Sequence, residues 1–240
     1  MKKRAVIVNY VLLLAGGSGT RMGLKTPKQF IEVEGLPIII HTMLALEKHS
    51  DVDGIIAVCI PGWEKVLQQL AAEYGISKLL DVVSGGKDRY ESTRKGFEAI
   101  SDVKDSDVVV VHDSVRPLVT KECLTEVIEV CKQSGNSMAV LDCVDTMYEK
   151  SSSSRTNKVS DRERLVRGQT PEAATAARFQ EMYAAADVKG IRMDSVSAMQ
   201  LELGWEVCFA KGAEQNIKIT RQEDIELFKA LLIAKGMREG

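Results

Sequence analysis

Short apolar runs alternate with longer amphipathic segments along most of the chain. The runs at 5–15, 55–60 and 107–113 are continuous and short, as in strands that are covered on both faces. The segments EKVLQQLAAEYG at 64–75 and DRYESTRKGFEAI at 88–100 repeat their apolar residues at the spacing of one helix face. This alternation predicts an α/β fold built around a largely parallel sheet.

The second half of the chain continues the pattern less regularly. Thr120 is a predicted helix N-cap, SMAVLDCVDTMYE at 137–149 and WEVCFAKG at 205–212 are strand-like, and RQEDIELFKALLIAKG at 221–236 predicts a closing helix. A polar, serine-rich segment at 150–164 interrupts the alternation. It is either a flexible surface loop or an arm that becomes ordered against a second subunit.

Composition narrows the class of protein. The chain has 240 residues, of which 45% are hydrophobic, enough for one substantial core. Its 32 Lys and Arg against 34 Asp and Glu give a net charge of -2, so no basic field favours a nucleic acid or a membrane surface as partner. The five cysteines are scattered without a C-x-x-C pair, which favours buried thiols in a reducing, cytoplasmic setting. No apolar stretch approaches the length of a membrane span.

The first apolar run, at 5–15, is interpreted as a strand rather than as part of a signal peptide, because Asn9 interrupts it and it ends in a glycine loop. That loop, GGSGTRMGLKTPKQF at 16–30, lets backbone N–H groups approach a phosphate. Arg21 and Lys28 add two positive charges that suit a triphosphate. Neither the Walker A spacing nor the dinucleotide fingerprint fits these glycines. The alternative is that the glycines serve only the turn and that both charges are solvated.

Two further segments offer phosphate or nucleoside contacts. SGGKDRYEST at 84–93 places two glycines before a helix, with Ser92 positioned to hydrogen-bond a base or a ribose. Arg89 in the same segment is, in the alternative, an ordinary charge on the helix surface. EQNIKIT at 214–220 predicts a short, half-buried strand that carries Lys218, either as a phosphate ligand or as protection of a sheet edge.

The segment VVHDSVRPL at 110–118 carries the central acidic residue. Asp113 ends a buried strand, where an unpaired carboxylate would be costly, and Arg116 follows three residues later. The two residues either form a local pair that caps the turn, or Asp113 faces a metal–triphosphate or a substrate hydroxyl while Arg116 helps to hold the acceptor. His112 is interpreted as a packed residue rather than a catalytic base. No nucleophile–base motif is present, which favours transfer between phosphates, where positioning and electrostatics supply most of the catalysis.

In this order, the motifs resemble those of the polyol-phosphate cytidylyltransferases, which comprise the methylerythritol-4-phosphate and the ribitol-5-phosphate enzymes. The resemblance covers nearly the whole chain. The matching segments are LAGGSGTRMG, PKQF, GGKDRYEST, VHDSVRP, VDT, QTP and NIKIT. It implies a three-layer, Rossmann-like nucleotidyltransferase fold with a largely parallel twisted sheet. It also implies a single domain over 1–240, from which a β-arm at 143–165 protrudes and forms a homodimer.

The resemblance also implies a role for each predicted site residue. The catalytic cations that hold the triphosphate of CTP are Arg21, Lys28 and Lys218. The nucleotide-binding residues are Ala15, Gly16, Gly17, Gly19, Gly86, Ser92 and Asp113. The acceptor-binding residues are Asp113, Arg116, Thr146, Arg162, Thr170 and Asp194, with Thr146 and Arg162 reaching the acceptor phosphate of the neighbouring subunit. Mg²⁺ is expected to enter with CTP, and Asp113 is its candidate protein ligand.

The implied reaction is an in-line attack by a polyol phosphate on CTP, which releases pyrophosphate and forms a CDP-polyol. Two positions depart from the methylerythritol pattern: Met193 replaces a threonine before Asp194, and Tyr148 replaces a basic residue two positions after Thr146. Both lie on the acceptor side, and the LAGG, HDSVRP and VDT segments lean towards the ribitol branch. The alternatives are another NTP-sugar nucleotidyltransferase and a non-catalytic relative that binds nucleotide.

Overall fold

A central sheet organises the protein. The computed structural model describes residues 7–17 and 26–239. Within these residues seven strands form the sheet, and all but one run in the same direction. Their order across the sheet is β11 (Phe209–Lys211), β7 (Asn136–Asp142), β10 (Val166–Thr175), β6 (Val108–Asp113), β1 (Asn9–Ala15), β4 (Gly54–Cys59) and β5 (Leu79–Ser84). The exception is β10, which is antiparallel to both neighbours. The predicted α/β fold with a largely parallel sheet is confirmed.

Helices cover both faces of this sheet. Successive side chains of a strand point to opposite faces, so Val11 and Leu13 of β1 enter one buried cluster while Leu12 and Leu14 enter the other. The first cluster is covered by α1 (Ile38–Glu47), α2 (Glu64–Glu73) and α4 (Lys121–Ser134), and the second by α3 (Arg89–Glu98), α5 (Ala176–Lys189) and α6 (Val196–Glu202). The result is the predicted three-layer arrangement.

A third, smaller cluster fixes a loop that matters for the site. The last helix, α7 (Gln222–Glu239), packs Phe228 against Val33 of a hairpin formed by β2 (Glu32–Val33) and β3 (Leu36–Pro37). Ile219 is fully buried in the same cluster, and its N–H donates to the carbonyl oxygen of Val115 at 2.9 Å. The segment that carries the neighbouring Lys218 is therefore held beside the end of β6.

Several helix and strand predictions are confirmed in detail. Thr120 is the N-cap of α4, where its side chain accepts a hydrogen bond from the N–H of Cys123, and the helix ends at Gly135 with φ of 84°. Two strand predictions were too long, because 137–149 divides between β7 and β8 (Met147–Lys150), and 205–212 contributes only the three residues of β11.

The predicted strand at 214–220 is wrong. The segment forms no ladder with a neighbouring strand and runs as an irregular loop. Its backbone makes individual hydrogen bonds, as when Arg116 Nη1 donates to the carbonyl oxygen of Asn216 at 2.7 Å. Lys218 therefore projects from a loop that buried contacts hold, and the edge-strand interpretation of this residue no longer applies.

The segment at 143–165 contains a separate hairpin. Strand β8 pairs antiparallel with β9 (Thr156–Ser160) in a two-stranded sheet of their own, and almost every residue of the hairpin is exposed. We call residues 143–165 the arm. Across residues 7–17 and 26–239, no helix combines the length and apolarity that crossing a bilayer requires.

Candidate active site

A cavity of about 400 Å³ opens beyond the carboxyl ends of β1 and β6, the edge at which open α/β sheets bind ligands. Gly16 and Gly17 follow β1 directly and line one side of it. Lys28 and Lys218 line the same cavity although they lie far apart in the sequence. Lys28 Nζ donates to the carbonyl oxygen of Ile219 at 3.0 Å, which ties the two lysine-bearing segments together. The structure thus brings two of the three predicted triphosphate cations to one place.

Three other residues that were predicted to contact CTP are not among the described residues that line this cavity. Gly19 and Arg21 lie outside the described residues. Ala15 ends β1 without lining the cavity. Its carbonyl oxygen accepts hydrogen bonds from Gln29 Nε2 at 2.7 Å and from the N–H of Ile60 at 3.1 Å, which occupies both lone pairs. In this structure Ala15 holds the following segment in place and does not face the cavity.

The turn before α3 forms the opposite side of the cavity. The N–H of Gly86 donates to Ser92 Oγ at 3.0 Å, and that hydroxyl donates to the carbonyl oxygen of Asp88 at 2.7 Å. The Asp88 carboxylate caps α3 by accepting from the N–H of Glu91 at 2.8 Å. A Cβ at Gly86 would lie 2.5 Å from side-chain atoms of Glu91, so the turn requires glycine there. Gly86 and Ser92 both line the cavity as predicted, and the Ser92 hydroxyl braces the turn.

Asp113, at the end of β6, is surrounded by three cationic side chains. Arg89 Nη1 contacts Oδ1, while Lys218 Nζ and Arg116 Nε lie 2.9 Å and 3.4 Å from Oδ2. We refer to these four residues as the carboxylate centre. Asp113 is only 4% exposed, so these charges interact with little water between them. The pairing of Asp113 with Arg116 is thus one contact of a larger cluster.

The cluster controls the ionisation of its members. Burial raises the pKa of the Asp113 carboxyl, but the charges of Arg89 and Lys218 outweigh burial and hold this pKa well below its ordinary value. Burial likewise lowers the pKa of the Arg89 guanidinium, and the carboxylates of Asp113 and Glu172 reverse that effect and raise it. Asp113 is therefore an anion and Arg89 a cation throughout the neutral range.

His112 precedes the carboxylate centre on β6 and is fully buried. Burial lowers the pKa of His112 to about 4, so the ring is neutral near pH 7. Its Nε2 lies 3.3 Å from the carbonyl oxygen of Arg116, whereas its Nδ1 has no hydrogen-bond partner within the described part of the chain. The prediction of a packed histidine is confirmed.

A second cavity, of about 890 Å³, lies on the other side of the carboxylate centre. Four predicted acceptor-binding residues, Asp113, Arg116, Thr170 and Asp194, line it. Thr170 Oγ1 also accepts a hydrogen bond from the N–H of Asp113 at 3.1 Å, so β10 and β6 are joined at this point. The residues that line both cavities are Asp88, Arg89, Asp113 and Lys218. A group bound in one cavity therefore meets a group bound in the other at the carboxylate centre.

The two predicted acceptor residues on the arm lie elsewhere. Thr146 is exposed and lines neither of the two central cavities. Arg162 Nη1 donates to the carbonyl oxygen of Val144 at 2.7 Å and lines a cavity of about 440 Å³ at the base of the arm, together with Cys143. The structure of one chain does not bring either residue to the carboxylate centre.

Two residues of this site were not predicted from the sequence. Arg89, for which an ordinary charge on the helix surface was the alternative interpretation, is three-quarters buried and contacts Asp113. Glu172 is 2% exposed, lies 3.7 Å from Arg89 Nη2 and accepts hydrogen bonds from the N–H groups of Val196 and Ser197 at the start of α6. The signal in the sequence is a single glutamate inside the small, apolar run that follows QTP.

Magnesium fits this site only as a companion of bound phosphate. Of the two carboxylates that line both cavities, Asp88 caps α3, and Asp113 is already surrounded by three cations. Within the described ranges, no three His, Cys, Asp or Glu side chains come together as metal ligands would. Mg²⁺ is commonly held by one or two carboxylates plus substrate phosphates, and this donor set agrees with that mode.

A cationic cavity framed by glycine turns, joined to a second cavity at the carboxyl edge of a largely parallel sheet, suits a nucleotidyltransferase. More specifically, the family model of 2-C-methyl-D-erythritol 4-phosphate cytidylyltransferase (IspD) matches residues 9–234, so the chain belongs to that family. The family resemblance drawn from the sequence motifs is confirmed.

Individual relatives include both branches of the family. A ribitol-5-phosphate cytidylyltransferase of Lacticaseibacillus paracasei is 37% identical over 94% of this chain and 98% of its own length. A 2-C-methyl-D-erythritol 4-phosphate cytidylyltransferase of Syntrophus aciditrophicus is 34% identical over 91% of this chain and 93% of its own. Among solved structures, 4-diphosphocytidyl-2C-methyl-D-erythritol synthase of Anaerococcus prevotii has the same fold, with a TM-score of 0.81 at 24% identity over 94% of this chain and 96% of its own.

Proposed function

We propose that this protein transfers CMP from CTP to a polyol phosphate and releases pyrophosphate, with ribitol 5-phosphate as its preferred acceptor. The observation that carries the proposal is the shared wall of the two cavities, because a transferase must bring donor and acceptor together at one reacting centre. The smaller cavity, with its glycine turns and three lysines, suits the nucleotide. The larger one, lined by hydroxyl, amide and carboxylate groups, suits a polyol.

The reaction is an exchange of phosphorus–oxygen bonds. An oxygen of the acceptor phosphate attacks the α-phosphorus of CTP, a new P–O–P link forms, and the bond to the bridging oxygen of the β-phosphate breaks. A phosphate monoester has a second pKa of about 6, so it is already an anionic nucleophile at neutral pH and needs no general base. The buried, neutral His112 is consistent with chemistry that requires none.

The obstacle to this attack is repulsion between two polyanions. Lys28 and Lys218 offset it from the walls of the nucleotide cavity, and Arg21 is proposed to join them. Asp113 keeps Lys218 and Arg116 aimed at the meeting point through its contacts of 2.9 and 3.4 Å. Magnesium bound to the triphosphate would neutralise further charge and assist the departure of pyrophosphate. Fixed cations held in place before the substrates arrive cost little reorganisation during the reaction.

The arm supports an acceptor site that two chains build together. It exposes apolar side chains, including Val144, Tyr148 and Val159, which are 68, 58 and 60% exposed in the single chain. Burying them against a second copy would form a homodimer, with Thr146 and Arg162 delivered to the partner's acceptor cavity. Light scattering on the purified protein tests this part, and a monomer at micromolar concentration would contradict it. We also propose a cytoplasmic location, which the five free thiols, four of them buried, support.

The acceptor follows from the balance of the relatives and of the sequence. The ribitol branch is favoured by the 37% identical relative and by Met193, which stands where the methylerythritol enzymes carry a threonine. 2-C-methyl-D-erythritol 4-phosphate is the second candidate, and the match of the family model favours it.

The test is pyrophosphate release with CTP and a panel of polyol phosphates. We expect the highest kcat/KM with ribitol 5-phosphate. A higher kcat/KM with 2-C-methyl-D-erythritol 4-phosphate would make that compound the preferred acceptor instead. Preference for UTP or GTP over CTP would indicate another nucleotidyltransferase, and CTP binding without turnover of any acceptor would indicate a non-catalytic relative.

A further inference from the structure

The loop between α5 and α6 presents an arginine to the larger cavity. Ile191 and Met193 of this loop are partly buried and pack against the core beneath α3, whereas Arg192 and Asp194 face outward. This alternation anchors the loop through its apolar residues. Arg192 and Asp194 consequently both line the cavity that we assign to the acceptor.

Arg192 is held in place although its side chain is 48% exposed. Its Nη2 lies 3.2 Å from Asp88 Oδ2, and its guanidinium stands 4.4 Å from the centre of the Tyr90 ring. Both partners belong to the start of α3, so the guanidinium bridges from its own loop to the turn that frames the nucleotide cavity. A stacked and paired arginine loses less side-chain entropy when it binds a ligand than a free one would.

The charges around Arg192 indicate what it binds. Two carboxylates, Asp88 and Asp194, line the same cavity, so these two side chains and Arg192 together carry a net negative charge. A dianionic phosphate is disfavoured there and is drawn instead towards Lys218 and Arg116 at the carboxylate centre. A hydroxyl group can donate to a carboxylate and accept from a guanidinium, and a chain of hydroxyls can satisfy the three side chains at once.

Building on the function proposed above, we propose that Arg192 is a specificity-determining residue. Together with Asp88 and Asp194 it binds the hydroxyl groups of the acceptor, while the acceptor phosphate lies at the carboxylate centre. Acceptors with several hydroxyls beyond the phosphate are selected, and short ones such as glycerol 3-phosphate are not.

The experiment compares Arg192→Gln with the wild type in steady-state pyrophosphate release, using ribitol 5-phosphate, erythritol 4-phosphate and glycerol 3-phosphate as acceptors. Loss of one charge-assisted hydrogen bond is expected to raise the KM for the acceptor that the wild type uses best by about tenfold. The KM for CTP should stay within about twofold, because Arg192 does not line the nucleotide cavity. The preference for the longer acceptors over glycerol 3-phosphate should fall, and Arg192→Lys should restore part of it.

Arg94→Gln is the matched control. Arg94 also pairs with an aspartate, Asp187 at 2.9 Å, and also lies over a tyrosine, Tyr183 at 5.4 Å, but it lines neither central cavity. The Arg94→Gln variant should leave the KM values for CTP and for every acceptor unchanged.

An unchanged acceptor KM in Arg192→Gln would overturn the inference. So would an equal loss for all acceptors, which would indicate a phosphate contact, or a rise in the KM for CTP, which would indicate an effect through Asp88. These outcomes differ from failure of the proposed function itself, in which the wild type releases no pyrophosphate with any acceptor and both proposals fall.

Discussion

The carboxylate centre and the arm both contain paired charges, but they differ in burial and in what holds them. In the carboxylate centre, Asp113 is 4% exposed, and its partners come from the turn that follows it and from two distant segments of the chain. In the arm, Lys158 and Glu149 lie 2.7 Å apart with side chains that are 65 and 54% exposed, on two strands of one hairpin. The distance between the paired atoms is similar, whereas the surroundings are not.

All the charges of the carboxylate centre are paired within one chain, whereas the arm remains exposed to solvent in one chain. The charges of the carboxylate centre depend on one another, because Asp113, Arg89 and Arg116 would be largely buried, uncompensated groups without their partners. The charges of the arm lie in water and contribute little to the fold. We therefore expect changes in the centre to affect catalysis and stability, and changes in the arm to affect only the binding of the acceptor.

The largest effect is expected from Lys28→Ala beside the carboxylate centre. Removing one preorganised cation from a phosphoryl-transfer site should lower kcat by about 10² to 10³-fold, because charge develops on the phosphates in the transition state. The free energy of unfolding should change far less. Pyrophosphate release with saturating CTP measures kcat. Lys95→Ala is the control, because Lys95 Nζ also bonds a nearby carbonyl, Gly85 O at 3.3 Å, but lines neither cavity. Equal kcat values for the two variants would contradict a catalytic role for Lys28.

A second comparison sets Asp113→Asn against Glu149→Gln. The first variant leaves Arg89 and Arg116 without their shared counter-charge and should lower the free energy of unfolding by about 3 kcal/mol. This is the lower end for breaking a buried pair, because Lys218 can still reach water. Glu149→Gln makes the same chemical change in the exposed pair of the arm and should not measurably change stability. Urea unfolding measures both, and similar midpoints would remove the contrast between the two regions.

Sequence patterns predicted the helices, strands and turns that are determined by residues close together in the chain. Strands β4 and β6, the capped helix α4 and the glycine turn before α3 follow from local periodicity and local conformational needs, and the structure confirms them. Helix α1 was not predicted, because IIIHTMLALE is apolar on nearly every face and shows no helical period. Its residues are buried on several sides, between the first cluster and the third.

Only those site residues that belong to a recognisable sequence motif could be predicted. Asp113 stood out because a carboxylate at the end of an apolar strand needs a partner. Arg116 was predicted as a partner from its position in the same turn, whereas Arg89 and Lys218 were not, since they reach Asp113 only through the fold of the chain. That the segment carrying Lys218 is a loop could not be predicted either, because alternating apolar residues are compatible with a strand and with an anchored loop.

The burial of His112, next to the carboxylate centre, should also make stability depend on pH. The ring is neutral in the folded chain, where burial lowers its pKa to about 4, whereas an unfolded chain binds a proton near pH 6.5. Stability is therefore complete above pH 6.5 and is lost as the pH falls towards 4. Between pH 7.5 and 5 the loss should be roughly 2 kcal/mol.

The measurement is urea unfolding at pH 7.5 and 5 for the wild type and for His112→Gln. The variant lacks the titrating ring, so its stability should fall less over this interval. The other two histidines contribute equally to both proteins. If both lost stability to the same extent, His112 would not be the group responsible.

The smallest effect is expected in the arm itself. Arg162→Ala should raise the KM for the polyol phosphate by about tenfold while the KM for CTP and the free energy of unfolding stay unchanged, since one charge-assisted contact to the acceptor phosphate is lost. Arg155→Ala is the matched control, because Arg155 lies at the exposed turn between β8 and β9 and lines neither the central cavities nor the one at the base of the arm. If the KM for CTP changed instead, we would conclude that the arm contacts the nucleotide rather than the acceptor. A loss of stability would mean that the arm is part of the fold of one chain, and that its contrast with the carboxylate centre is wrong.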